Sequence, residues 1–325
     1  MPIFYLFILV LLLMLAGAWF AYSMCFYSPR SRRVTPDMPL EGAQYDAVSE
    51  HISRMTGIIS KVPYEEVTVD SYDGLKLYGR YYHLKDGAPV EILFHGYRSH
   101  PYRDCSGGHA LTRKMGFNAL IVDQRAHGES EGTTICFGIK ERHDVFSWVN
   151  YLNQRFGPDT PIILSGLSMG AATVLMASDL PLPANVVCIL ADSPYSAPSA
   201  IIEKVCVDKN YPVSICRPFI HLGALLFGAF RLNAVTAKET VSKTDIPILL
   251  LHGEADHFVP CFMSQEIANC CRSFVSVHTF PDAGHGLCYI SDPRRYERVI
   301  YDFLARIPCL KNAISETFTK QLFGS

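Results

Sequence analysis

Six short apolar runs, each stopping on a polar residue or a glycine, constrain the fold of this chain more than any other feature. They are PVEILFHGY, NALIVDQRAHG, PIILSGLS, NVVCILADSPY, IPILLLHGEAD and FVSVHTFPDAGH, in that order. Helical stretches at roughly 101–115, 138–156, 168–179, 261–272 and 293–306 separate or follow them. Short strands apolar throughout, alternating with helices, make an α/β fold whose mostly parallel central sheet is covered by helices on both faces. EEVTVDSYDGLKLYGRYYH precedes the runs and reads as a hairpin around Ser-Tyr-Asp-Gly. Ligands of such sheets bind at the carboxyl ends of the strands. His95, Asp123, Ser168, Asp192, Asp256 and His285 all sit at or just beyond those ends.

At 325 residues the chain accommodates one large α/β domain or two small ones. A formal charge of −2 and the absence of a Lys/Arg run argue against nucleic acid as a partner. The 11 cysteines are scattered and show neither CxxC pairs nor zinc-type Cys/His spacing. They read as free thiols acting as small hydrophobes, and no metal is expected.

Ile3 to Tyr22 carries no charge, and a helix of about twenty apolar residues crosses a bilayer. A cleaved signal peptide is the rival reading. It is disfavoured because no Lys or Arg precedes the run and no small-x-small cleavage site follows it. Arg30, Arg32 and Arg33 place the flank after the span on the cytoplasmic side, giving a single-pass topology. The expected organisation is an anchor (1–27), a connector (28–64), the α/β domain (65–310) and a C-terminal tail (311–325). The anchor should be separable, so that a chain starting near Pro36 is soluble and active.

Residues 196–240 break the alternation with an apolar stretch, ICRPFIHLGALLFGAF. Two readings stand: an ordinary buried helix, or a small helical lid over the site. In the lid reading Phe219, Leu222 and Leu226 face the substrate.

The run IILSGLSMGAATVLMA turns from strand to helix on Ser168, between Gly166 and Gly170. A serine hydroxyl needs a base, a group that orients the base, and donors aimed at the developing oxyanion. The Met169 N–H, at the start of the new helix, supplies one donor, and the Tyr97 N–H after ILFHG supplies the second. The ordered segments HGY, DQRAHGESEG, GLSMG, LHGEADHFVP and AGHG resemble the α/β-hydrolase superfamily, most closely its serine-aminopeptidase-like branch of small esterases, lipases and peptidases. The likeness covers Glu66 to Ile307. The usual DxRGxGxS pattern departs from the family only in carrying Ala126 where a glycine is customary.

The resemblance implies the α/β-hydrolase fold, with Ser168 as nucleophile, Asp256 as acid and His285 as base; Glu254 lies close enough in sequence to compete with Asp256. It implies a structural role for His95, while Asp123, His127 and Asp192 read as loop anchors. The function expected is a membrane-anchored serine hydrolase acting on a small acyl ester without a cofactor. A peptidase, thioesterase or acyltransferase, and a catalytically silent binding protein, are the alternatives.

Overall fold

The computed structural model describes residues 1–36, 38 and 43–324. Eight strands form one sheet: β1 (Glu65–Asp70), β2 (Lys76–Tyr82), β3 (Val90–Phe94), β4 (Asn118–Val122), β5 (Ile162–Leu167), β6 (Val186–Asp192), β7 (Ile248–Gly253) and β8 (Val275–Phe280). Their order is β1-β2-β4-β3-β5-β6-β7-β8. β3 to β8 run parallel, and the β1–β2 hairpin adds antiparallel to β4 at one edge. The fold is the α/β-hydrolase fold.

Strand periodicity explains why both faces are covered. In β5 Ile162 and Leu164 enter one core while Ile163 enters the other; Ile248 and Leu250 of β7 divide from Leu249 and Leu251 in the same way. The first core takes Val145, Trp148, Val149 and Leu152 from the Glu141–Phe156 helix and all of the apolar Met169–Ala177 helix. The second takes Leu111 and Met115 from the Pro101–Met115 helix and Val299, Ile300 and Phe303 from the Pro293–Leu304 helix. β4 and β5 flank β3 on opposite sides, so the chain reverses its winding there. A crevice therefore opens at the carboxyl ends of β3 and β5, where ligands of doubly wound sheets bind.

Contacts cross both of the expected boundaries. The N-terminal helix, Pro2–Cys25, packs its carboxyl end into the domain. Its first four turns are exposed, but Ala18, Tyr22 and the following Phe26 are buried in the domain. Phe26 packs edge-on against Phe137 at 5.8 Å and Phe230 at 5.2 Å, and Tyr22 Oη lies 2.6 Å from Thr134 Oγ1. Beyond it, Ser28 N–H donates to the Thr133 carbonyl, and the Arg33 guanidinium donates to the carbonyls of Gly128, Ser130 and Gly132. A chain starting near Pro36 would leave those carbonyls and that aromatic socket empty.

The tail also belongs to the body. Leu310 on the Pro308–Lys311 helix, Phe318 on the Glu316–Phe323 helix and Ile314 in the turn between them bury in the second core.

Candidate active site

β5 ends on Leu167, and Ser168 turns the chain at φ 55° and ψ −114° into the Met169–Ala177 helix. That conformation is strained for a residue with a side chain, and the surroundings over-determine it. Ser168 N–H donates to the Asp192 carbonyl at 2.8 Å, and its own carbonyl accepts from Ala172 N–H at 2.9 Å. The flanking glycines are steric necessities: a Cβ on Gly166 would fall on the Gly170 backbone, and one on Gly170 on the Phe94 carbonyl.

The structure brings Ser168, His285 and Asp256 together. His285 Nε2 lies 2.9 Å from Ser168 Oγ and its Nδ1 lies 2.7 Å from Asp256 Oδ2. Glu254 is elsewhere, accepting from the Thr279 hydroxyl. Asp256 Oδ1 accepts from the N–H groups of Phe258 at 2.9 Å and Val259 at 2.8 Å. Burial pushes the Asp256 pKa up, but hydrogen bonds from His252 and His285, the charge His285 can carry and the Val259 N–H outweigh it. The net shift is downward, which keeps the carboxylate ionised.

His252, on β7, was not singled out in the sequence. Its Nε2 sits between the Val259 carbonyl at 2.8 Å and Asp256 Oδ2 at 3.3 Å, and its Nδ1 lies 2.7 Å from Ser264 Oγ. The signal was present, since a strand residue four positions before the acid reaches it across one turn.

The loop after β3 is braced by the loop after β4. Tyr97 and Met169 carry backbone N–H groups with no acceptor among the described residues. Gly96 N–H donates to Asp104 Oδ2 at 2.8 Å, and a Cβ on Gly96 would sit 3.5 Å from that of Ser168, so this loop lies directly against the serine. His95 and His127 act as braces. His95 Nε2 accepts from Gln124 N–H and His127 Nε2 from Arg98 N–H, while each Nδ1 donates to a backbone carbonyl. Burial lowers both pKa values, so both rings stay neutral, as these bonds require.

Tyr97 Oη donates to the Cys25 carbonyl at 2.8 Å, and Arg98 Nη2 donates to the carbonyls of Met24 and Tyr27 at 3.0 and 3.1 Å. The loop that presents the Tyr97 N–H thus caps the carboxyl end of the N-terminal helix, where a cation is favoured.

Above Ser168 and His285 lies a cavity of about 340 Å³. Ile52, Met55, Leu93, Leu287 and Ile290 line it with Tyr45, Arg103, Tyr289 and Tyr296. Residues read as a connector contribute directly here. Gln44 Oε1 accepts from His285 N–H at 3.0 Å, and Ile52 and Met55 come from the Ser49–Ile59 helix.

The substrate-facing assignment of Phe219, Leu222 and Leu226 is corrected. None of the three lines this cavity. Their helix, Val213–Leu226, packs along the N-terminal helix instead, with Gly17 under the Phe219 ring and Gly223 against Ala18. Small residues facing each other let the two backbones approach, and that contact turns the apolar face away from the site.

A mostly parallel eight-stranded sheet with a strained serine turn at the end of β5 defines an α/β-hydrolase. The chain belongs to the alpha/beta hydrolase family, whose model matches residues 92–299. It is 24% identical over 191 residues to the uncharacterized protein YqkD of Bacillus subtilis, covering 58% of this chain and 63% of that protein, less than two thirds of its length. It is 28% identical over 235 residues to the monoglyceride lipase of Mus musculus, covering 60% of this chain and 75% of that enzyme. Among solved structures, the Pyrococcus furiosus esterase Pf2001 matches with a TM-score of 0.64 at 22% identity, covering 85% of this chain and 98% of the esterase.

Proposed function

We propose that this protein is a membrane-anchored serine hydrolase that cleaves carboxylic esters through an acyl-enzyme. The observation that carries the reading is the unbroken hydrogen-bonded chain from Ser168 through His285 to Asp256, set beneath an apolar-lined cavity. Asp256 accepts the Nδ1 proton of His285, which leaves Nε2 free to take the Ser168 proton as Oγ attacks the ester carbonyl. Negative charge grows on the carbonyl oxygen, and the Tyr97 and Met169 N–H groups receive it. The imidazolium then returns its proton to the leaving alkoxide. Water, deprotonated by the same ring, cleaves the acyl-enzyme and frees the acid.

Apolar side chains around the cavity suit the acyl portion of the ester. The names of the Pyrococcus esterase and the mouse lipase favour an ester over an amide. The uncharged run Ile3–Tyr22 serves as a single-pass anchor, and the arginines after it put the domain on the cytoplasmic side. The test is fluorophosphonate labelling of the full chain and of Ser168→Ala, followed by an acyl-length series of p-nitrophenyl esters beside matched thioesters and amides. Labelling that persists in Ser168→Ala removes the nucleophile assignment; amides turned over faster than esters would reverse the choice of substrate.

A further inference from the structure

The helix that does not cover the cavity has an unpartnered apolar face, and its position relative to the N-terminal helix says what covers it. The two helices lie side by side over Gly17–Cys25. A Cβ on Gly223 would come within 2.5 Å of the Ala18 carbonyl, and the Phe227 ring meets Trp19 at 5.1 Å and Tyr22 at 5.7 Å. Leu225, Leu226 and Phe227 are each more than a third exposed, and so are Trp19, Phe20 and Met24 on the N-terminal helix. The contact between Trp19 and Phe227 joins the two sets. From Pro218 to Phe230 the chain carries no Asp, Glu, Lys or Arg, and Arg217 and Arg231 bracket that stretch.

We infer that the Val213–Leu226 helix lies in the membrane interface beside the N-terminal helix, with Leu225, Leu226 and Phe227 in contact with lipid. This rests on the anchor reading, because residues 17–22 belong to the uncharged run placed in the bilayer. If that run enters the acyl region, a helix packed against its last turns is carried to the same depth. An interfacial helix buries its apolar face about 5–10 Å into the boundary of headgroups and acyl chains and keeps cations at its rim. Trp19, exposed beside Phe227, is the residue type that such a boundary favours.

The site follows from this placement. The Tyr97 hydroxyl is bonded to Cys25, at the end of the same helix, so the loop beside Ser168 stands next to the membrane surface.

The experiment reconstitutes the full chain in phosphatidylcholine vesicles containing a dibrominated phosphatidylcholine, with bromines either near the glycerol or deep in the acyl chain. The protein has two tryptophans. Trp148 is buried in the core, so quenching in the unsubstituted chain reports Trp19. Leu225→Trp adds an indole on the proposed face, and Phe227→Trp is a second, more conservative probe; near-ultraviolet circular dichroism checks that each is folded. The expected result is that the added emission is quenched by brominated lipid by at least the same fraction as Trp19, and is shielded from aqueous acrylamide.

If Trp19 is quenched and the added indoles are not, this inference is overturned while the anchor stands. Acrylamide then tells a face open to water, where it quenches, from one covered by a second copy of the chain, where neither quencher reaches. If Trp19 also escapes brominated lipid, the anchor reading falls, and the interfacial helix falls with it.

Discussion

Asp192 ends β6 and Asp256 follows the neighbouring β7, and both are buried near the same serine, yet their surroundings push them in opposite directions. Asp256 receives two backbone N–H bonds and stands between two histidines, and its pKa falls. Asp192 is also buried, and that burial raises its pKa. A hydroxyl from Ser193 at 2.8 Å, the charge His252 can carry and hydrogen bonds from Cys288 and Tyr296 compensate only in part. Position at a strand end therefore does not make a carboxylate the acid of a triad. What distinguishes the two is a partner that can carry a positive charge, held in line with the serine. Asp192 works through its neighbours instead: its carbonyl accepts Ser168 N–H, and Ser193 Oγ in turn accepts Gly286 N–H at 3.4 Å, beside the histidine.

The largest effect sets the floor for this comparison. Ser168→Ala should lower kcat toward p-nitrophenyl acetate by about a million-fold, since removing the nucleophile disables the triad as a unit. Asp256→Asn should cost roughly ten-thousand-fold in kcat, through a histidine held in the wrong tautomer. Asp192→Asn should stay within about tenfold of the parent, because Asn keeps the acceptor for Ser193 and no proton passes through that side chain. Equal losses in the two aspartate variants would erase the distinction drawn here.

The smallest effect is thermal, and its sign differs between the two residues. A folded pKa below the unfolded value of about 3.9 adds stability above that value, and the gain is lost as pH falls through the folded pKa. Asp256 is of this kind, so Asp256→Asn should lose melting temperature relative to the parent as pH rises from about 3 to 5. A raised folded pKa adds stability below about 3.9, and that is lost as pH rises through the folded pKa. Asp192 is of this second kind, so Asp192→Asn should gain on the parent as pH rises from about 4 toward neutrality. Melting curves of the three proteins across that range check both slopes, and slopes of the same sign would contradict the opposed shifts.

Much of the catalytic layer was legible from sequence because its geometry is local. A strand apolar on both faces, a serine between two glycines and a following small-residue helix specify a turn through steric exclusion alone, as Gly166 and Gly170 demonstrate. Parallel strands then align their ends, and that alignment brings Ser168, Asp256 and His285 within hydrogen-bonding distance. His252 was within reach of the same reasoning, four residues before Asp256, but a histidine inside an apolar strand carries no period that separates a brace from core.

Tertiary structure alone decided what surrounds that layer. Gln44 reaches His285 across 241 residues, Tyr97 reaches Cys25 across 72, and Gly223 meets Ala18 on another helix. No periodicity records such pairings. The apolar content of Phe219, Leu222 and Leu226 showed that their helix must cover something, and either the cavity or a second helix satisfied that need equally well. Burial free energy is non-directional and roughly proportional to area, so composition states how much surface must be covered and never by which partner. The partner was set by shape, where Gly17 received the Phe219 ring and Gly223 met the Ala18 carbonyl closely enough for the two helices to pack.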